Sequence, residues 1–323
     1  MAEAAYGVPV HTALLSADPT DSHTYDYTPL PNTAIRSGRA ARPPVSYWRD
    51  ALDRLLRNKT AVASFAFIIL TALFGFAGSS LMPGFTKQDL YNTFLPPLSP
   101  GHPLGTDELG RDLLARLARG TRISLTIGVT VSVINLVVGL AYGGLSGYIG
   151  GMADVVMMRI VEIVTAVPEM IILLLLLTVL KSGMGTLILA LCLTGWTGMA
   201  RLARAQALQL RENEYVLAAR VLGASRLWIV LRHMIPNALG PIMVRFAMSV
   251  PGVIFAESFL SYIGLGIAIP EASWGNLAQL GANQFPNHIW LFFIPAILFS
   301  LTMLAFNLLG DGLRDALDPR QRR

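Results

Sequence analysis

Cysteine, lysine and charged side chains in general are scarce in this sequence. Its 323 residues include one cysteine, Cys192, and three lysines, and only 14% are Asp, Glu, Lys or Arg. A single cysteine excludes a disulfide framework and a cysteine-based metal site. A soluble domain averages about 25% charged residues, so the shortage of charge, together with 53% hydrophobic residues, predicts a membrane protein.

A phosphate-binding loop is also missing. Such a loop places Gly-Lys and then Ser or Thr after a glycine-rich turn, so that backbone amides and the lysine hold the phosphates. Lys59 and Lys181, which precede Thr and Ser, follow Asn58 and Leu180 instead of glycine. We therefore expect this chain to bind no ATP, metal or other cofactor itself. Most arginines flank apolar runs, so the net charge of +5 does not indicate nucleic acid.

Six apolar runs are long enough to cross a membrane as helices. Roughly 20 apolar residues span the 30 Å or so of hydrocarbon, and the runs cover 61–81, 123–145, 155–180, 183–203, 238–262 and 288–309. Strands of a membrane barrel would instead alternate in polarity over about ten residues. The run length therefore predicts an all-α membrane protein with six transmembrane helices.

Positive charge is distributed unequally between the two sides of such a bundle. With six spans both termini share a side, and that side then holds seventeen Lys and Arg against five on the other. Because positive residues favour the cytoplasm, we predict that both termini are cytoplasmic. The predicted organisation is a disordered cytoplasmic tail over 1–45, an interfacial helix over 46–60, a first span over 61–82, an outer segment over 83–120, a five-span core over 121–310 with a cytoplasmic loop over 206–236, and a cytoplasmic tail over 311–323.

The loop over 206–236 contains EYVLAARVLGASRLWIVLRHMIPN, which starts at Glu214 and predicts a helix–turn–helix. Asn213 is suited to cap a short helix, and Gly223 supplies the left-handed residue that ends it. Ser225 is suited to cap a second helix, which Pro236 interrupts before the fifth span. The alternative is a basic loop that only sets the topology.

The small residues of this loop favour a docking surface. Ala218, Ala219 and Gly223 form a face with almost no side chain, which the backbone of another protein can approach closely. Nearby arginines are suited to pair with acidic groups of that partner or with lipid phosphates.

Several segments together resemble a known family. LAA at 217–219, Gly223 and HMIP at 233–236 have the spacing of the EAA loop in permease subunits of ABC importers, although Leu217 stands where the motif begins with Glu. Four further segments resemble the C-type subunit of dipeptide, oligopeptide and nickel permeases. They are HPLGTDELGRDLLARLARGTRISL at 102–125, ESFLSYIGLG at 257–266, SWGN at 273–276 and GDGLRDALDP at 310–319.

The resemblance implies a type I ABC importer permease fold and a non-enzymatic transport subunit of the bacterial inner membrane. It implies as partners a second homologous permease, two ATPase subunits that bind ATP and Mg²⁺, and an extracytoplasmic substrate-binding protein. The loop becomes the coupling helix that docks into the ATPase. The implied coupling residues are Tyr215, Leu217, Ala218, Ala219, Gly223, Ala224, Ser225, His233 and Pro236. Peptides are the expected cargo, with a nickel chelate or another small solute as the alternative.

Five charged residues fall inside the apolar runs: Arg159, Glu162, Glu169, Arg245 and Glu257. A charge at the centre of a bilayer costs roughly 3 kcal/mol or more, so each should face protein or water. Arg159 and Glu162 are three residues apart and are predicted to pair on one helical face. We interpret the charges as helix–helix ion pairs in preference to a polar lining of the path.

The outer segment offers a second candidate surface. The stretch 110–120 is amphipathic and predicts a helix lying on the outer face of the membrane. The family resemblance adds a contact with the substrate-binding protein. The candidate contact residues are Arg111, Arg116, Trp274 and Asn276.

Two other classes of protein remain as remote alternatives. Gly144-Leu145-Ser146-Gly147 matches a serine protease pattern with His288 as its base, but the predicted topology places these residues on opposite sides of the membrane. A secondary transporter that works without an ATPase would suit the intramembrane charges and leaves the helix–turn–helix without a role.

Overall fold

The computed structural model describes residues 47–180, 182–230, 232 and 235–317, so the predicted tail over 1–45 lies outside the described residues. Helices account for most of the described chain. They are α1 (Tyr47–Arg57), α2 (Lys59–Leu81), α3 (Leu113–Ile149), α4 (Gly151–Ala166), α5 (Glu169–Val179), α6 (Met184–Arg211), α7 (Glu214–Val221), α8 (Arg226–Ile229), α9 (Ile235–Tyr262), α10 (Trp274–Asn283) and α11 (Trp290–Leu317).

The predicted all-α membrane fold is confirmed. Five described helices, α2, α3, α6, α9 and α11, are long and apolar enough to span a membrane, and the bent pair of α4 and α5 makes a sixth span if counted as one. The third run, predicted as a single span, is bent by 73°. Val167 adopts an extended conformation because Pro168 follows it, which ends α4 and starts α5 in a new direction.

The first span is preceded by a separate helix, as predicted. Asn58 lies between α1 and α2 and caps the start of α2, because its Oδ1 accepts hydrogen bonds from the backbone N–H groups of Thr60 and Ala61 at 3.1 and 3.2 Å. The interfacial position of α1 stays a prediction.

The central helix of the fold is α3, which is 37 residues long. Asp112 caps its first turn through Ala115 N–H at 2.8 Å. The prediction of a separate surface helix over 110–120 was wrong, because the leucines Leu113 and Leu117 are buried and the helix continues straight into the second span. The apolar side of that stretch packs on protein instead of lipid, beside Trp274 in the same cluster as Leu117.

Glycines bring α3 and α6 into close contact. A Cβ atom added to Gly143 would lie 1.9 Å from the Ala200 carbonyl oxygen, and one added to Gly147 would lie 2.6 Å from that of Arg204. Small residues allow such close approach between membrane helices, where van der Waals packing holds them together. This packing fixes the ends of both helices beside the loop that follows α6.

The ends of two spans differ from the prediction. α9 begins at Ile235, so Pro236 lies in the first turn of this helix. The prediction had placed Pro236 before the fifth span, as the residue that interrupts the second helix of the loop. Proline is tolerated in a first turn, because the first N–H groups of a helix have no partner inside it. α11 continues to Leu317, so 311–317 extend the last span where a tail was predicted.

Candidate functional site

The predicted helix–turn–helix is confirmed, in the form of α7, a turn and α8. Gly223 has a φ of 82°, and Ala224 N–H donates to the Ala219 carbonyl at 3.0 Å, which closes the end of α7. Ser225 Oγ accepts from Trp228 N–H at 3.3 Å and so caps α8. Asn213 precedes α7, but its side chain does not cap the helix and donates instead to the Tyr215 hydroxyl at 3.3 Å.

One face of α7 packs on the ends of the spans. Val216 and Ala219 are buried in a cluster with Tyr148 of α3, Ala207 of α6 and Ile229 of α8. The assignment of Ala219 to the surface contacted by a partner therefore needs correction. Its methyl group fills a contact within this chain, because residues three apart on a helix share a face.

The opposite face of α7 is apolar and exposed. Leu217 is 45% exposed, and Val221 and Leu222 are 87% and 85% exposed. Ala218 lies beside them on this outward face. We call these four residues the α7 outer face. The sequence reasoning missed Val221 and Leu222. Val221 follows Leu217 by four residues and Leu222 follows Ala218 by four, and this helical spacing indicates that all four share one side.

The other predicted coupling residues surround this face with varied burial. Tyr215 is 39% exposed. Ala224 is half-buried against the cluster under α7. Gly223, Ser225 and Pro236 are exposed, and His233 lies outside the described residues.

A bidentate ion pair supports the spans beneath α7. Arg204 of α6 donates from Nε and Nη2 to the two carboxylate oxygens of Asp154 in α4, at 2.6 Å each. Ser146 Oγ of α3 donates to the same carboxylate. Asp154 is only 10% exposed. The Asp154 carboxylate thus joins α3, α4 and α6. The sequence reasoning had not singled out this pair, since it counted Arg204 only as a topology-setting charge.

Four of the five intramembrane charges are exposed on the single chain. Arg159 and Glu162 form the predicted pair, with Nη1 and Oε2 2.6 Å apart and the side chains 70% and 58% exposed. Glu169 accepts from Thr194 Oγ1 at 3.1 Å and so links α5 to α6. Arg245 has no carboxylate within 4.0 Å among the described residues, so the prediction of helix–helix ion pairs does not describe it.

Glu257 of α9 differs from the other four because it is fully buried. Its carboxylate accepts hydrogen bonds from the hydroxyls of Ser124 and Ser261 at 2.8 Å and of Ser258 at 3.1 Å. Ser124 also accepts from the backbone N–H of Trp274 at 3.2 Å. The prediction of an ion pair for Glu257 was wrong, because hydroxyl groups satisfy this carboxylate and join α3, α9 and α10.

We expect Glu257→Leu to destabilise the chain by about 2 to 4 kcal/mol, because three hydroxyls lose their acceptor at roughly 1 kcal/mol each. Glu257→Gln should cost less, since one carbonyl oxygen remains. The measurement is the thermal unfolding midpoint of the purified chain in detergent, with Glu212→Leu at an exposed position as the control. Equal midpoints for Glu257→Leu and this control would contradict the expectation.

The four candidate contacts for a binding protein require correction. Arg111 and Arg116 are 1% and 0% exposed, and Trp274 and Asn276 are 1% and 4% exposed. Asp107 accounts for the burial of both arginines, because it supplies their counter-charge: its Oδ2 lies 2.7 Å from Arg111 Nε and 3.4 Å from Arg116 Nε. Arg116 thereby joins the outer segment to α3, and Trp274 joins α10 to α3 because its Nε1 donates to Thr121 Oγ1 at 3.0 Å. These buried side chains present no surface to a partner.

The remote protease alternative is contradicted by the positions of its two residues. The Ser146 hydroxyl donates to Asp154 near the end of α3, whereas the ring of His288 stacks on Phe94 at 4.2 Å in the outer segment that precedes α3. At 1.5 Å per residue, Ser146 lies roughly 50 Å along α3 from its first residue. A base within about 3 Å of the nucleophile is therefore impossible.

Known proteins resemble the chain over most of its length. Residues 139–323 match the family model described as "Binding-protein-dependent transport system inner membrane component", and residues 46–97 match "N-terminal TM domain of oligopeptide transport permease C". The dipeptide transport system permease protein DppC of Bacillus subtilis is 46% identical over 87% of this chain and 88% of its own length. The oligopeptide transport system permease protein OppC of Escherichia coli K12 is 43% identical over 86% and 92%.

A solved structure shares the fold. The matching chain belongs to an inward-facing form of the MetNI methionine ABC transporter, and it is 18% identical with a TM-score of 0.53. The match covers 62% of this chain and 96% of that chain. The predicted fold of an ABC importer permease is thereby confirmed.

Proposed function

Since this chain belongs to the family of binding-protein-dependent transport system inner membrane components, we propose that it is the permease subunit of an ATP-driven peptide importer. Peptide cargo is supported by the relatives whose names state dipeptide or oligopeptide transport. In this proposal the chain forms half of the path, a second permease forms the other half, and separate ATPase subunits bind ATP and Mg²⁺ and hydrolyse the nucleotide.

The α7 outer face is the observation that carries the proposal. Large apolar side chains that are more than four-fifths exposed, as Val221 and Leu222 are, favour a protein partner over water. α7 lies beyond the ends of α3 and α6, and its inner face is fixed by Val216 and Ala219. A displacement of α7 by a partner on its outer face would therefore also displace the ends of α3 and α6. We propose that the ATPase docks here, which also places this loop and both termini in the cytoplasm.

Contact with the substrate-binding protein belongs, in the same proposal, to the opposite end of the bundle. The outer segment exposes Leu90 by 68%, Tyr91 completely and Leu98 by 90%. These side chains replace the buried arginines and Trp274 as the proposed contact. Exposed aromatic and aliphatic residues are suited to the centre of a protein interface.

Reconstitution in proteoliposomes tests the function directly. The chain is combined with the second permease, the ATPases and the binding protein of its own organism, and uptake of labelled dipeptides, oligopeptides and nickel chelates is measured with and without ATP. We expect peptide uptake that requires ATP and the binding protein. Uptake by this chain without ATPases would support the secondary transporter, and uptake of nickel without peptide would support the alternative cargo.

A further inference from the structure

A cavity with two arginines lies between α7 and the ends of α3 and α6. Its volume is about 390 Å³, and it is lined by Tyr148 and Ile149 of α3, Arg211 of α6, Arg220 of α7 and Ala224 of the turn. Arg220 lies on the flank of α7, between the buried face of Val216 and Ala219 and the α7 outer face. The cavity is thus lined by none of the four residues of the α7 outer face.

These arginines form no salt bridge within the described part of the chain. Neither Arg211 nor Arg220 has a carboxylate oxygen within 4.0 Å there. Asp154, at the same end of the bundle, already uses both oxygens on Arg204. Two cations that share one cavity and form no salt bridge there favour an anion as the ligand.

Arg211 lies beside the turn that joins α3 and α4. A Cβ atom added to Gly150 would lie 2.5 Å from Arg211 Nη1, and Gly150 has a φ of 67°. The guanidinium of Arg211 therefore lies directly over the α3–α4 turn, at the edge of the cavity.

Apolar surface adjoins the cavity. Ile149 lines it and is 50% exposed, Leu145 lies one turn earlier on α3 and is also 50% exposed, and Met152 at the start of α4 is 77% exposed. A free anion would contact only the arginines. A molecule with a phosphate and an acyl chain would use both surfaces, as lipids do at basic pockets between membrane helices.

We propose that this cavity binds the phosphate group of an anionic phospholipid, with Arg211 and Arg220 as its ligands and the acyl chain along Leu145 and Ile149. The assignment to the cytoplasmic leaflet rests on the proposed function, which places α7 on that side. A headgroup bound here joins α7 to α3 and α6, and so stabilises the seating of the coupling helix.

Lipid binding to the purified full-length chain tests the proposal without any ATPase present. Native mass spectrometry measures retention of phosphatidylglycerol, phosphatidylcholine with the same acyl chains, and inorganic phosphate. The cavity variants are Arg211→Gln, Arg220→Gln and the two changes together. In the control, the exposed Arg201 and Arg232 are both changed to Gln. We expect phosphatidylglycerol affinity to fall about fivefold for each cavity arginine removed and to stay unchanged in the control.

Three outcomes would overturn the proposal. They are equal affinity for phosphatidylglycerol and phosphatidylcholine, equal loss in the control variant, and displacement of the lipid by inorganic phosphate at similar concentrations, which would assign the cavity to a free anion. A fourth is full retention of phosphatidylglycerol by the variant that carries Arg211→Gln and Arg220→Gln, which would show that these arginines do not bind the headgroup. Because lipid retention is measured on this chain alone, a negative result would not contradict the peptide-import proposal, which is tested separately by the uptake assay.

Discussion

Arg204→Ala is expected to destabilise the chain by about 3 kcal/mol or more, because it leaves the Asp154 carboxylate buried without its cation. Asp154 is 10% exposed, and Arg204 supplies two of its hydrogen bonds. Among the described residues, Ser146 is then the donor that remains for this carboxylate. We expect a lower thermal unfolding midpoint in detergent and faster proteolysis of the loop over 206–236, since α3, α4 and α6 are no longer tied beneath α7.

Two comparisons make this result specific to the pair. Arg201→Ala removes the same side chain from the same helix at an exposed position, so it should leave the midpoint unchanged. Asp154→Leu combined with Arg204→Leu removes both charges and should recover much of the stability, because the buried charge is then absent. Equal midpoints for Arg204→Ala and Arg201→Ala would show that the ion pair contributes nothing to the fold.

Run length and turn chemistry were sufficient to predict most of the fold. The spans are long apolar runs, and Gly223 and Ser225 are local signals whose backbone consequences follow from their own geometry. Pro168 could be recognised in the sequence as a residue that bends a helix, but the 73° angle between α4 and α5 depends on how α5 packs against α6. Local sequence does not contain that packing.

Burial within the site was harder to predict. Ala219, Arg111 and Trp274 were all assigned to partner surfaces, yet each is buried in this chain. A motif identifies which residues matter and not which way they point. Asp154 and Arg204 are 50 residues apart, so no helical periodicity connects them. Glu257 was predicted to pair with a cation. Two of its three hydroxyl partners, Ser258 and Ser261, are local on α9, but the hydroxyl of Ser124 comes from α3, 133 residues away, and is invisible to local reasoning.

Leu222→Asp is expected to abolish productive docking of the ATPase while the permease itself still folds. Leu222 is 85% exposed in the single chain, so an aspartate costs little in the free protein. In the docked state it would place an unpaired charge in an apolar contact, which costs a few kcal/mol and lowers affinity roughly a hundredfold. Co-purification of the ATPase and substrate-stimulated ATP hydrolysis measure the loss.

The matched control is Leu98→Asp, which makes the same change at a leucine that is 90% exposed on the outer segment. It should retain the ATPase fully, because it lies at the opposite end of the spans. Ala219→Glu provides the second comparison. Since Ala219 packs against Val216 and Ile229, the glutamate should lower the unfolding midpoint of the chain alone, whereas Leu222→Asp should not. If Leu222→Asp retains the ATPase as well as Leu98→Asp does, docking does not use the α7 outer face, and the helix–turn–helix serves only to set topology.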